Sequence, residues 1–171
     1  MKIILYSLTF CVAFTQANFA QNQSNIWVFA DSLGLDFNQS PIPSLISAGG
    51  QLGLMYSSVA DKNTGMLLLY TDNSRIYDRN HNAIDSFPNS NTGKQSIIIP
   101  MPGNDSLYYV FSASSNIAFN SGVLYTIVNI HLNGGFGGTL PGFRNVSFDS
   151  GFQINNQIAA IHHANGCDFW I

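Results

Sequence analysis

Short apolar runs alternate with polar turn residues along most of this chain. The runs are rich in Val, Ile, Tyr and Phe, and each is bounded by Gly, Asn, Asp, Pro or Ser. Segments of this kind are typical of β-strands, because branched and aromatic side chains pack well on a pleated surface. The pattern predicts strands at residues 26–30, 53–60, 66–71, 75–78, 96–100, 107–112, 123–131, 157–162 and 168–171.

Two connections between these predicted strands have the chemistry of tight hairpin turns. "DKNTG" at 61–65 and "PGNDS" at 102–106 contain Asn and Gly, which adopt positive φ with little strain. They predict antiparallel pairing of the strands that they join. No sustained helical period of apolar residues occurs, and the best candidate for a short helical turn is 43–48. The predicted fold class is therefore all-β.

Several predicted strands are apolar on both faces, such as "MLLLY" and "SIIIP". Both faces of such a strand are buried when neighbouring sheets cover it on each side. A β-sandwich or the radially packed small sheets of a propeller provide this, whereas a one-sided sheet does not. The segments "SLYYVFSASS" and "GCDFWI" each place an aromatic pair after a polar turn, and such repetition is typical of propeller blades.

The N-terminal residues differ from the rest of the chain. Lys2 precedes an apolar run at 3–14, and the small residues Ala17 and Ala20 precede "QNQSNIW". This pattern predicts a signal peptide at 1–20 that is cleaved between Ala17 and Ala20. The apolar run is shorter than the roughly 20 residues that a membrane span needs. We therefore expect an exported protein, secreted or at the cell surface, with one domain at 21–171.

Charge and cysteine content limit the classes of partner and of stabilising bond. The net charge is −3, and the six Lys and Arg residues are scattered rather than gathered in a basic stripe. Nucleic acid is not an expected partner, because binding to its phosphates depends on clustered cations. Cys11 lies in the predicted signal peptide, so Cys167 would be the single thiol of the mature chain and no internal disulfide is expected.

The first cluster of candidate binding residues lies in "DNSRIYDRN". Asp72, Arg75, Asp78 and Arg79 are close together in sequence, which predicts either a site for an anion or a sugar or an exposed network of ion pairs.

The second cluster lies near the C-terminus, where His162 and His163 precede Asp168. Neighbouring strand residues face opposite sides of a sheet, so the two imidazoles cannot both reach one ligand without a bulge. We retain His162 and Asp168 as weak candidates for ligand binding.

No catalytic centre, metal site or cofactor is predicted. The histidines lack the spacing of zinc ligands, and neither a nucleophile elbow nor a phosphate loop before a helix occurs. "NGGFGG" at 133–138 follows a strand and is interpreted as a flexible loop between blades. All nine acidic residues are Asp, and none is identified by its context as one of a facing catalytic pair.

Five stretches in order resemble a known family: "NIWVFADSLGLDFN", "GMLLLYTDNSRIYDRNHNAI", "KQSIIIPMPGNDSLYYVFS", "GVLYTIVNIHLNGGFG" and "IAAIHHANGCDFWI". The family is the N-terminal β-propeller region of secreted and cell-surface proteins of Bacteroidetes, many of them gliding-motility-associated or sorted by type nine secretion. The resemblance covers most of the chain after residue 20. It implies a partial propeller of antiparallel sheets, with about three blades, from a longer protein.

This resemblance also implies a function. Three blades are fewer than the minimum of about four in a propeller, so apolar faces and strand edges would meet water. We expect missing blades or self-association to cover them. The expected role is a non-enzymatic binding or structural module whose partner is a protein or a surface glycan. The alternative is part of a propeller hydrolase acting on glycans, which would need two carboxylates facing each other across a cleft.

Overall fold

The computed structural model describes residues 22–29, 33–39, 41–48, 56–72, 74–88, 95–114, 122–148, 157–165 and 168–171. The predicted signal peptide at 1–20, the first residues of the predicted strand at 53–60, and Cys167 lie outside them. The described residues are all-β, as predicted, and form several antiparallel sheets. They also include a 3-10 turn at Asn22–Ser24 and a single helical turn, α1, at Leu132–Gly135.

The strands form four sheets, which we number I to IV along the chain. Sheet I contains β1 (Ile26–Phe29), β2 (Leu33–Asp36) and β3 (Ser44–Ser47). Sheet II contains β4 (Ser57–Ala60), β5 (Leu67–Thr71), β6 (Arg75–Asp78) and β7 (Ala83–Ser86). Sheet III contains β8 (Gln95–Pro100), β9 (Leu107–Ser114), β10 (Gly122–Asn129), β11 (Gly138–Thr139) and β12 (Val146–Ser147). Sheet IV contains β13 (Ile161–His162) and β14 (Phe169–Trp170).

The two predicted hairpins are confirmed, whereas the predicted helical turn is wrong. Residues 61–65 join β4 to β5 and residues 102–106 join β8 to β9, each pair antiparallel. Residues 44–47 form β3 rather than a helical turn, because they find a partner in β2, with Leu45 opposite Leu35. Pairing with a neighbouring strand thus overrides the weak local preference of a short segment.

The glycine-rich segment at 133–138 also differs from its prediction as a loop between blades. It connects β10 to β11, two neighbouring strands of sheet III. Asn133 and Gly134 adopt left-handed backbone angles inside α1, and the Asn133 side-chain amide donates a hydrogen bond to the Gly137 carbonyl at 2.8 Å. These interactions give the segment a defined turn within one sheet.

The sheets stack face to face in chain order, and a separate apolar core fills each space between neighbours. Ile26 and Val28 of sheet I pack with Tyr70 and Tyr77 of sheet II. Sheets II and III enclose a second core that includes Leu69. Sheets III and IV enclose a third core, in which Phe111, Ile158 and Phe169 take part. Sheets II and III are therefore apolar on both faces, as the two-sided strands predicted.

The first strands of sheets II, III and IV run in the same direction. Ser57 at the start of β4 accepts a hydrogen bond from the Ile98 amide, and Lys62 after β4 pairs with Asp105 after β8. Gln95 at the start of β8 accepts a hydrogen bond from the Ile158 amide just before β13. The turns that follow these three first strands consequently lie at one end of the stack.

Sheet I has the opposite sense. The Ser58 hydroxyl donates to the Ile26 carbonyl, and the Asn22 side chain donates to the carbonyl of Asn63 in the β4–β5 turn. Asn22, before β1, therefore lies beside the turn after β4, whereas Ile26 in β1 lies beside Ser58 near the start of β4, so that β1 runs antiparallel to β4.

Candidate functional site

A cleft lies at the end of the stack where the turns after β4 and β8 meet the end of β13. Its volume is about 290 Å³. Sheet II contributes Lys62, sheet III contributes Met101 and Asp105 from the β8–β9 turn, and sheet IV contributes His162 and Phe169. We call this the turn-end cleft. Three consecutive sheets must be in place for it to form.

Two hairpin turns are held by short polar side chains, and this fixes the walls of the cleft. One Asp61 carboxylate oxygen accepts hydrogen bonds from the Asn63 amide at 3.0 Å, the Thr64 amide at 2.7 Å and the Thr64 hydroxyl at 2.9 Å. Burial alone would raise the pKa of Asp61, but these bonds and the charge of Lys62 outweigh it, so that the pKa lies below its usual value.

The β8–β9 turn uses the same device with an amide. The Asn104 side-chain oxygen accepts hydrogen bonds from the Ser106 amide, the Ser106 hydroxyl and the Leu107 amide. Asx turns of this kind tie the side chain to the backbone two and three residues ahead. The backbone conformation of both turns is therefore fixed by hydrogen bonds within the protein and does not depend on a ligand.

Charged and aromatic side chains both line the cleft. Lys62 and Asp105 form an ion pair of 2.5 Å across sheets II and III, with 44% and 81% of their side chains exposed. Such an exposed pair exchanges readily with solvent or with a polar ligand. The His162 ring lies against Phe169 with 4.3 Å between centroids. The cleft thus combines donors and acceptors with an aromatic wall.

Tyr108 also lines the cleft, and it is buried. Burial is the main cause that raises the pKa of Tyr108 to about 12, and the nearby negative charges of Asp61 and Asp105 add to it. The phenol therefore stays protonated at neutral pH.

The structure separates two of the residues predicted as a binding cluster. Asp72 precedes β6 and Asp78 ends it, so that the two carboxylates lie at opposite ends of this strand. Asp72 is 1% exposed, and it accepts hydrogen bonds from the Ser74 amide, the Ser74 hydroxyl, the Arg75 amide and the Tyr77 hydroxyl.

Asp78 has a similar role at the other turn. It accepts hydrogen bonds from the Asn80 amide, the Asn82 amide and the Asn82 side chain. Both carboxylates thus organise turns. Arg75 is exposed, and the Arg79 guanidinium lies 5.0 Å from the centre of the Phe136 ring. The predicted anion or sugar site around these four residues remains a prediction.

The two C-terminal candidates have different surroundings. His162 lines the turn-end cleft, whereas Asp168 accepts a hydrogen bond from the Asn165 side chain at 2.6 Å within the β13–β14 turn. The cleft is also lined by Lys62, Asp105 and Phe169, which sequence reasoning missed as site residues. The signal that could have found them is their position in or beside the predicted turns of successive sheets.

The described residues offer neither a metal site nor a membrane-spanning helix. Among them, no three His, Cys or Asp side chains are grouped so that they could hold one metal ion. None of the helical segments in that part of the chain has the length and apolar character that a membrane crossing requires.

No family model, curated protein or solved structure matches this chain. The resemblance to the Bacteroidetes propeller region accordingly stays a prediction, and the function of the chain must be argued from its own residues.

Proposed function

We propose that the protein is an exported, non-enzymatic binding module of the β-propeller type that holds a surface glycan in the turn-end cleft. The observation that carries the proposal is the parallel course of β4, β8 and β13 in three stacked sheets. Blades of a propeller have this relation, and it gathers their turns at one end, where side chains from several sheets can converge. Sheet I, with β1 antiparallel to β4, does not follow this relation. Among the described residues, those of sheet I do not line the cleft, although Gln23 in the 3-10 turn before β1 does.

The chemistry of the cleft suits a sugar ring. The apolar face of a pyranose stacks on aromatic side chains, and its hydroxyl groups need donors and acceptors around them. Phe169 and His162 supply the ring surface, while Lys62 and Asp105 supply the polar groups. The volume of about 290 Å³ is at the small end of the range for ligand pockets, which suits a short saccharide.

Binding is favoured over hydrolysis. Glycosidases use two carboxyl groups about 5 to 10 Å apart. The described residues that line the cleft include one carboxylate, Asp105, and it is paired with Lys62. Export is proposed from the basic, apolar and small-residue pattern of residues 1–20.

The proposal is tested by binding of labelled protein to an array of bacterial and plant polysaccharides. Lys62→Ala and His162→Ala should each weaken binding about tenfold, which corresponds to about 1.4 kcal/mol. Arg75→Ala is the matched control, because Arg75 is an exposed cation in the other predicted cluster, away from the cleft. A loss with Arg75→Ala and none with the cleft variants would move the site to that cluster. Release of reducing sugar from a bound polysaccharide would favour the hydrolase.

A further inference from the structure

We propose that two copies of this chain associate head to tail, with the outer face of sheet I of one copy packed on the outer face of sheet IV of the next. This inference concerns the ends of the stack and does not depend on what the turn-end cleft binds.

The outer face of sheet I is apolar. Strand register places six residues on it: Trp27 opposite Leu35 and Leu45, and Phe29 opposite Leu33 and Ser47. Trp27 is 49%, Leu33 46% and Leu45 71% exposed, although Ile26 and Val28 on the other face of β1 are buried against sheet II. None of the six is Asp, Lys or Arg. Sheet I therefore has the two-sided apolar character of sheets II and III, but among the described residues one of its faces packs on a neighbouring sheet and the other is exposed.

The outer face of sheet IV has the same chemistry. Ile161 and Trp170 pair across β13 and β14, and they are 67% and 62% exposed. His162 and Phe169, the other pair, face the remaining side, where Phe169 packs against sheet III. The His163 ring lies 5.3 Å from Trp170 and extends the aromatic surface.

Continuity with the three existing interfaces identifies a second copy as the occupant. Each internal interface joins an apolar face of one sheet to an apolar face of the next sheet. The described ion pairs, Lys62–Asp105 and Arg144–Asp85, supplement the apolar core between sheets II and III. Sheet IV against sheet I of another copy repeats this arrangement, and both faces are present in equal number on every chain. Exposed apolar sheet faces of this kind are typical of association sites.

The contact joins two different surfaces, so it does not close on itself in a dimer. A copy bound through sheet I still presents its own sheet IV, and further copies add until a ring closes or a filament grows. This property separates the proposal from a symmetric dimer formed by two like faces.

The experiment blocks each face with the same charge in the full chain. Leu45→Lys blocks the outer face of sheet I and Ile161→Lys blocks that of sheet IV. Met66→Lys is the matched control, because Met66 is 64% exposed and belongs to neither face. Circular dichroism of each variant should equal that of the wild type, which excludes unfolding as the cause of a change.

Sedimentation should show wild type and Met66→Lys assembling beyond a dimer as concentration rises. Leu45→Lys and Ile161→Lys should each sediment alone as a monomer of 18.7 kDa. An equimolar mixture of the two should form a heterodimer, because one intact copy of each face remains. A wild type that stays monomeric, or a single-face variant that dimerises alone, would overturn the proposal.

Tryptophan fluorescence gives an independent readout. The chain has two tryptophans, Trp27 on the outer face of sheet I and Trp170 on that of sheet IV. Emission should shift to shorter wavelength in the mixture and in concentrated wild type, and it should not shift in either blocked variant alone. Emission that does not change while mass increases would place the contact elsewhere and overturn the proposal.

Discussion

Removal of the Asp72 carboxylate should destabilise the protein more than any change at its exposed acidic residues. Asp72 was a candidate for ligand binding, yet it is 1% exposed and accepts four hydrogen bonds within residues 74–77. The Tyr77 hydroxyl donates the most buried of these, at 2.8 Å. Burial is the main cause that raises the pKa of Tyr77 to about 12, and the hydrogen bond to Asp72 and the charge of that carboxylate add to it.

The magnitude follows from the donors that lose their partner. In Asp72→Ala the buried Tyr77 hydroxyl is left unsatisfied, which costs about 1 to 3 kcal/mol. The Ser74 and Arg75 amides, partly buried, add about 1 kcal/mol in total because water can replace part of their bonds. We expect a loss of about 3 kcal/mol, a large share of the roughly 5 to 15 kcal/mol that stabilises a domain.

Asp72→Asn separates the contributions of charge and turn. Its amide oxygen can still accept from the two turn amides, and the Tyr77 hydroxyl can rotate to accept from the new NH₂ group. The loss should fall to about 1 kcal/mol. Urea unfolding followed by circular dichroism measures both values, and Tyr77→Phe completes a double-mutant cycle with an expected coupling of about 1 to 2 kcal/mol. Equal losses for Asp72→Ala and Asp72→Asn, or no coupling to Tyr77, would refute this account of the turn.

Three further results are expected. Gly65 and Gly103 both have left-handed φ near +70°, but a Cβ on Gly65 would meet the Asn38 side chain, whereas one on Gly103 meets nothing within 4 Å. Gly65→Ala should therefore lower the free energy of unfolding in urea by about 1 kcal/mol more than Gly103→Ala. Equal losses would contradict the contact with Asn38. Leu69→Ala, at a fully buried position between sheets II and III, should cost about 3 to 5 kcal/mol in the same assay, and a loss below about 1 kcal/mol would show that this core is loosely packed. The pKa of Tyr108 is raised from 10.0 to about 12, so its contribution to stability is complete below pH 10 and is lost between pH 10 and 12. Over this pH range the thermal midpoint of Tyr108→Phe should fall less steeply than that of the wild type. Equal slopes would contradict a role for this phenol.

The sequence predicted the fold class well because strand composition and turn chemistry are local. The β4–β5 and β8–β9 hairpins were located from Asn and Gly in their turns, and β6 was predicted with its observed bounds. The strand β3 was missed because "SLIS" has no strong preference of its own and is stabilised by its pairing with β2.

The candidate site was harder to predict because its residues come from three sheets. His162 was named from the sequence, but Lys62 and Asp105 meet only after β4 and β8 have stacked side by side. Asp72 and Asp78 are only six positions apart in the sequence, but the four-residue strand β6 places them at its opposite ends. Residues that are close in sequence along a strand can thus be far apart in space, whereas residues within one turn stay together.

A linear succession of sheets, in which each core is shared only by immediate neighbours, also has a thermodynamic consequence. Cooperativity must be passed from one layer to the next, as in solenoid proteins, and the global free energy approximates a sum over adjacent layers. Amide hydrogen exchange should be slowest in β5 and β9, in the two central layers, and fastest in the two outer ones. Any contact that caps an outer layer would slow exchange there first and would spread protection inward by one layer at a time.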